Sequence, residues 1–267
     1  AYDAGYGMVT SYRNTKNSGA NWISGGYGYW FLQEARHLSN CRGMFRLSCA
    51  ISGTGFLISA DVVREFDNWK FFTLTEDIEC STAYVLSGRK VGYAPDAELY
   101  DEQPVKFSQA WRQRERWSKG FYQVFGKSGG KLVKGCFKSF SCYDILTTIF
   151  PALLFSVTML VVLPVSAIVA ACLGDTAAAA WAGAGLGYSF AAMYGLMFII
   201  CLTTAITEWR RIKAPAYKKI LYLFTFPFFM ATYIPISVVA LFKKVEWKPI
   251  EHTAAITLDD LDSEDKK

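Results

Sequence analysis

The chain is poor in the residues that build metal sites and disulfide frameworks. Of 267 residues only two are histidine, His37 and His252, and the seven cysteines never form a C-x-x-C pair. There is no H-E-x-x-H and no Cys/His spacing of zinc type, and the thiols read as buried or inert. There is no Asn-x-Ser/Thr acceptor site, and no signal peptide is expected. Charge is also scarce, at 19% of residues, and the net charge of +5 is too mild and too scattered for a nucleic-acid surface. No nucleic-acid partner is expected. The scarcity is uneven: of the 51 Lys, Arg, Asp and Glu residues, 32 lie in the first 144 positions. The first half therefore reads as water-soluble protein and most of the second half does not.

Three stretches carry no charge at all: 145–174, 176–207 and 220–242. Each exceeds the roughly 20 residues that cross a bilayer core. They predict membrane helices at 145–173, 178–207 and 220–242. Gly183 and Gly187 form a G-x-x-x-G, which is either a helix-packing face or simple composition. Basic residues cluster at 112–138, 210–219 and 243–248, beside the apolar runs, as a membrane surface favours. Lys127, Lys131, Lys134 and Lys138 put the start of the first span in the cytoplasm, and Arg210 and Arg211 do the same for the end of the second. The third run has Lys and Arg at both ends. It either crosses against the rule or breaks at Pro227 and Pro235 and re-enters. The tail 251–267 is acidic.

The polar half alternates strand-like and helix-like pieces. Residues 8–12 read as a strand, Asn14–Ala20 as a turn and Trp30–Leu38 as a helix. Cys49–Ser59 reads as a strand broken by Gly53 and Gly55, Ile78–Leu86 as a helix and 90–95 as a strand. On a helical projection of Phe107–Phe125, Phe107, Ala110, Trp111, Trp117, Phe121, Val124 and Phe125 share one side. Gln109, Arg112, Arg116, Lys119 and Gln123 share the other. That pattern predicts a helix lying in the membrane interface. Gln113 sits one turn before Arg116 and Trp117, so the three converge. Arg114 falls on the apolar side, where it either snorkels or meets an anionic ligand.

Two further segments could carry chemistry. Thr75-Glu76-Asp77 is either a helix start, with Thr75 as cap and acids in the first turn, or the seat of a general base. Ser52-Gly53-Thr54-Gly55 is either a bulge or a place where backbone approaches a ligand closely.

Taken together, the T-E-D of Thr75–Asp77, the Q-x-x-R-W of Gln113–Trp117 and the apolar runs from residue 145 resemble the membrane-embedded family 2 glycosyltransferases. These include the synthases of cellulose, chitin, hyaluronan and poly-N-acetylglucosamine. The resemblance implies an α/β catalytic domain of the GT-A type, present in part over 1–106. It implies an interfacial helix and basic linker over 107–144 and an α-helical transmembrane region over 145–250. Asp77 matches the general base that deprotonates an acceptor hydroxyl in inverting sugar transfer. Thr75, Glu76, Gln113, Arg114, Arg116 and Trp117 match acceptor- and donor-binding positions, and Ser52, Gly53 and Thr54 match a segment lining the acceptor. Glu102 matches a frequent acidic position to which no role is attached.

The implied partners are a UDP-sugar donor, a growing β-linked glycan acceptor and the lipid bilayer. The implied location is the bacterial inner membrane, multi-pass, with the catalytic part cytoplasmic. The family's Mg²⁺ or Mn²⁺ is held by a D-x-D in the half that precedes such a chain. The only D-x-D here is Asp260-Leu261-Asp262 in the tail, so no metal ligand is expected in this chain and the sequence reads as the C-terminal part of a longer protein. Two alternatives stand beside the polymerising reading: a non-processive enzyme acting on a lipid acceptor, and a catalytically silent membrane channel or assembly protein.

Overall fold

A computed structural model describes residues 4–150 and 157–246. Its soluble part is built on a three-stranded sheet in the order β2-β1-β3. Strand β1 is Met8–Thr15, paired antiparallel with β2 (Phe56–Ile58) and parallel with β3 (Gly92–Asp101). The β1–β3 register jumps between Ser11 and Tyr12, so that Pro95, Asp96 and Ala97 bulge out of the ladder. Proline has no N–H to give, and the bulge is where it is tolerated. The strand expected at 49–59 is shorter than its apolar run. Gly53 and Gly55 have φ of +74° and +59°, which ends the extended backbone, and Cys49 keeps only an isolated bridge to Val91.

Helix α1 (Trp22–Gln33) begins eight residues earlier than the sequence pattern suggests, on a capping box formed by Asn21 and Ser24. Its glycines argue against a helix on propensity alone. Packing overrides this: side chains at Gly25 and Gly26 would collide with the rings of Tyr222 and Phe229. The helix then widens into a π-helical segment, Glu34–Ser39, and continues as α2 (Asn40–Met44). Helix α3 is Ala60–Glu65, α4 is Glu76–Leu86, α5 is Phe107–Cys136 and α6 is Phe140–Ile149.

The apolar half is helical. A π-helical turn (Thr158–Val162) leads into α7 (Leu163–Cys172), followed by α8 (Thr176–Glu208), α9 (Ala216–Ala231) and α10 (Tyr233–Phe242). Two helical segments are long and apolar enough to cross a membrane by length and composition: Thr176–Glu208, of 33 residues, and Ala216–Phe242, of 27. Thr158–Cys172 is shorter, and part of the first expected span, 151–156, lies outside the described residues. So do the 251–267 tail and its D-x-D. Gly183 and Gly187 face open space, so within the described residues they pack no helix.

The third apolar run is interrupted at one residue, Thr232, three before Pro235, whose nitrogen has no hydrogen to give the carbonyl of Ala231; Pro227 sits inside α9 without interrupting it. There the hydroxyl of Thr232 and the guanidinium of Arg114 both donate to the carbonyl of Phe229, at 2.6 and 3.0 Å.

Candidate active site

Asp77 lies in the first turn of α4. Thr75 precedes the helix, but its hydroxyl makes no capping bond and is buried without a partner among the described residues, so the cap expected there is not formed. Glu79 holds the preceding loop instead, accepting the N–H groups of Phe72 and Thr73 at 3.1 and 3.0 Å and pairing with Lys127. From α5, Arg116 donates to the carbonyl of Leu74 at 2.8 Å, and Gln123 accepts the N–H of Leu74 at 2.9 Å. The start of α4 is thus fixed onto α5 by side chains from both.

The Ser52–Gly55 segment meets Asp77 from the sheet side. Ser81, one turn along α4, donates to the backbone carbonyl of Asp77 and accepts the N–H of Ile51. A side chain on Gly53 would stand 3.4 Å from the Asp77 carboxylate. Glycine at 53 therefore serves two needs, the left-handed backbone and the approach to a carboxyl group. Partial burial pushes the Asp77 carboxyl up to about 6. The N–H of Ile78 opposes the rise, the charge of Glu76 adds to it and that of Arg116 opposes it.

The Q-x-x-R-W side chains have different neighbours. Trp117 is half-buried and packs edge-on against Tyr27 and Phe31 of α1, at ring separations of 6.1 and 6.4 Å. Arg116 faces the Glu76–Asp77 turn. Gln113 is buried and its side-chain oxygen has no partner among the described residues. Arg114 neither snorkels nor reaches an open surface. It is fully buried, its guanidinium stacked 4.3 Å from the Phe229 ring and bonded to Phe229 and Thr232. Its charge is committed to the broken α9–α10 helix. Phe121, Val124 and Phe125, expected to face lipid, instead pack with α4 and α6.

Arg13 was not singled out from the sequence. From β1 it donates to the carbonyl of Ser52 at 2.8 Å and to Asp101 at 2.5 Å, and its guanidinium lies 3.8 Å from the Phe31 ring. It links the Ser52–Gly55 segment to the aromatic cluster around Trp117. A lone Arg in a strand gives no sequence signal for this. Glu102 lies apart, paired with Lys16 at 3.6 Å. Among the described residues no group of three His, Cys, Asp or Glu side chains could hold a metal ion. The metal the resemblance implies does not fit these residues.

Gly120 carries a direct prediction. A β-carbon there would lie 2.5 Å from Thr75 side-chain atoms and 2.8 Å from its backbone nitrogen. Backbone cannot yield cheaply, so Gly120→Ala is expected to cost about 1–3 kcal/mol. It should also lift the Asp77 turn off α5, lowering turnover more than it lowers expression; thermal unfolding and activity measured side by side check this.

Comparison with known proteins places these features in a family. The model of glycosyl transferase family group 2 matches residues 3–242. A probable glucomannan 4-beta-mannosyltransferase 14 from Arabidopsis thaliana is 31% identical over 107 residues, covering 40% of this chain and 19% of that protein. A probable glycosyltransferase YdaM from Bacillus subtilis is 30% identical over 70 residues, covering 26% and 17%. The matched stretches thus span less than a fifth of the length of either relative. With the family model covering most of its length, the chain belongs to glycosyl transferase family group 2.

Proposed function

We propose that this chain forms the acceptor side of an inverting, membrane-embedded glycosyltransferase that moves a sugar from a UDP-sugar to a growing β-linked glycan. The observation that carries the reading is the Asp77 carboxyl, partly buried at a helix start, facing a glycine backbone, with Arg116 alongside. Asp77 takes the proton from the acceptor hydroxyl as that oxygen attacks the anomeric carbon and the diphosphate leaves from the opposite face. Trp117 offers an indole face to the acceptor ring. Arg116, whose strongest local bond is to a carbonyl, is available to the departing diphosphate. Mg²⁺ or Mn²⁺ would belong to the donor-binding half of a longer protein, and none of these steps runs through it. A glycan acceptor is favoured over a lipid one by the relative named as a glucomannan mannosyltransferase. The two apolar helical segments are long enough to cross a membrane, and the basic residues at 127–138 and 210–219 favour a cytoplasmic side for Asp77; the membrane we propose is the bacterial inner membrane.

The test is turnover by the full-length protein in nanodiscs against a panel of UDP-sugars, with products sized on a gel. A ladder supports the polymerising reading and a single added sugar the lipid-acceptor one. No turnover with any donor sinks both and leaves the silent membrane protein.

A pH dependence follows. The base works only when ionised. With its carboxyl at about 6, roughly nine-tenths is ionised at pH 7 and one-tenth at pH 5. Turnover should therefore fall about tenfold per pH unit below 6, and a kcat–pH profile checks the position of that limb.

A further inference from the structure

Glu34 is an acid that the fold leaves unused. It caps the end of α1 and opens the π-helical segment Glu34–Ser39. Such irregularities interrupt the regular ladder and are frequent at functional sites. Tyr27, Phe31 and Glu34 are spaced four and then three residues apart, so they share one helical face. The first two meet Trp117 of α5 edge-on. The Glu34 side chain is partly buried, yet it makes no hydrogen bond or ion pair among the described residues. The cations that act on it are committed elsewhere. Arg13 bonds Ser52 and Asp101, and Arg42 grips Asp144 of α6 with two bonds, at 2.6 and 3.1 Å. Burial pushes the Glu34 carboxyl up, and the charges of Arg13 and Arg42 oppose the rise.

The surroundings of Glu34 connect it to the candidate site. Arg13 lies 3.8 Å over the Phe31 ring and holds the carbonyl of Ser52, next to the Gly53 that faces Asp77. Tyr233, at the start of α10, is within electrostatic reach of Glu34 and stands 5.1 Å from the Arg114 guanidinium, which is itself 5.9 Å from the Tyr27 ring. Two more polar atoms here are buried without a partner among the described residues: Nε of Arg13 and the side-chain oxygen of Gln113, one turn before Trp117. Aromatic rings and unpartnered polar groups thus share one space. Stability gives no reason to keep such groups, because a buried acceptor without a donor is destabilising. A sugar chain does give one. Its ring faces are apolar enough to lie on aromatic side chains, and its hydroxyls bond the few polar groups between them.

We propose that Glu34 is an acceptor-binding residue, its carboxyl holding hydroxyl groups of the glycan whose terminal hydroxyl is deprotonated at Asp77. It lies in neither the T-E-D nor the Q-x-x-R-W motif. The assignment rests on the acceptor-side reading above, and its test tells the two apart.

The full-length protein in nanodiscs is compared as wild type, Glu34→Leu and Glu34→Gln. The probe is the trisaccharide cut from the polymer that wild type makes. Its binding is read by titration calorimetry without donor, and its use as a primer by kcat and KM at saturating donor. Leucine fills the space but offers no oxygen. It should weaken binding and raise the primer KM by about 10–100-fold, with kcat nearly unchanged. Its unfolding temperature should match or exceed that of wild type, since an unpaired buried carboxyl is removed. Glutamine keeps an oxygen and should stay within about threefold of wild-type affinity. A leucine variant that binds the trisaccharide as tightly as wild type overturns the proposal and leaves the acceptor-side reading standing. So does one that unfolds at lower temperature and loses kcat at unchanged KM, which marks a structural role. A trisaccharide that wild type neither binds nor extends also overturns it. If wild type makes no polymer with any donor, the acceptor-side reading fails and takes the proposal with it.

Discussion

Asp77→Asn should abolish turnover and at the same time make the protein more stable at neutral pH. The loss follows from chemistry: an amide cannot take a proton, and removing a positioned base lowers the rate by about 10²–10⁴. The gain follows from linkage. The Asp77 carboxyl is raised from 3.8 to about 6 in the folded chain, chiefly by burial. A raised carboxyl favours folding fully below its unfolded value, and that contribution is lost as pH rises through the folded value. At pH 8 the native state therefore carries an ionised, partly desolvated group that costs on the order of 1–3 kcal/mol. Asparagine has nearly the same shape and no charge. Its advantage should be clear at pH 8 and vanish near pH 4, where the wild-type group is neutral when folded. Activity assays and thermal unfolding at the two pH values check the pair of outcomes. An Asn variant as active as wild type would end the base assignment. One that is inactive and less stable at pH 8 would indicate damage to the turn rather than loss of a proton acceptor.

How the parts of this site were legible differs residue by residue. The helix carrying Asp77 could be read because acids at a helix start and an apolar period afterwards are local signals. The long α5 helix was legible for the same reason, though it runs to Cys136 rather than ending at Phe125. What could not be read is what covers each face. Trp117 and Phe121 have the pattern of an interfacial anchor, yet α1, α4 and α6 reach them from distant sequence. Arg114 illustrates the limit most sharply. On a helical wheel it is a misplaced cation, and only the break at Thr232, 118 residues away, explains it. The start of α1 was hidden by glycines whose low helix propensity is overridden by the rings of Tyr222 and Phe229. Arg13 gave no signal because its three partners come from three separate elements.

Replacing Glu208 should loosen the apolar helices from the sheet. Glu208 ends α8 with its side chain only 4% exposed. It accepts from the hydroxyl of Tyr12 on β1 at 2.8 Å, pairs with Arg36 of the π-helical segment at 3.1 Å and with Arg211 at 3.0 Å. Arg211 reaches on to Glu98 of β3 at 3.5 Å and lies over the Tyr12 ring. One carboxylate thus joins the end of a membrane-type helix to the sheet and to the helix leading from Phe31. Removing one partner of a buried, hydrogen-bonded charge group typically costs 3–5 kcal/mol. Arg36 and Arg211 are both partly solvated and can be rehydrated, so the expected cost of Glu208→Ala is lower, about 2–4 kcal/mol, much of it from the buried Tyr12 hydroxyl left without its acceptor. Glu208→Gln keeps an acceptor for Tyr12 and should recover part of the loss. Thermal unfolding of both variants in the same nanodiscs tests this. Equal losses would mean that the charge of Glu208, not its hydrogen bond to Tyr12, supplies most of the stabilisation. No loss in either would show that α8 and the sheet hold together through the apolar packing of Cys201 and Ala205 against α1 and α9 alone.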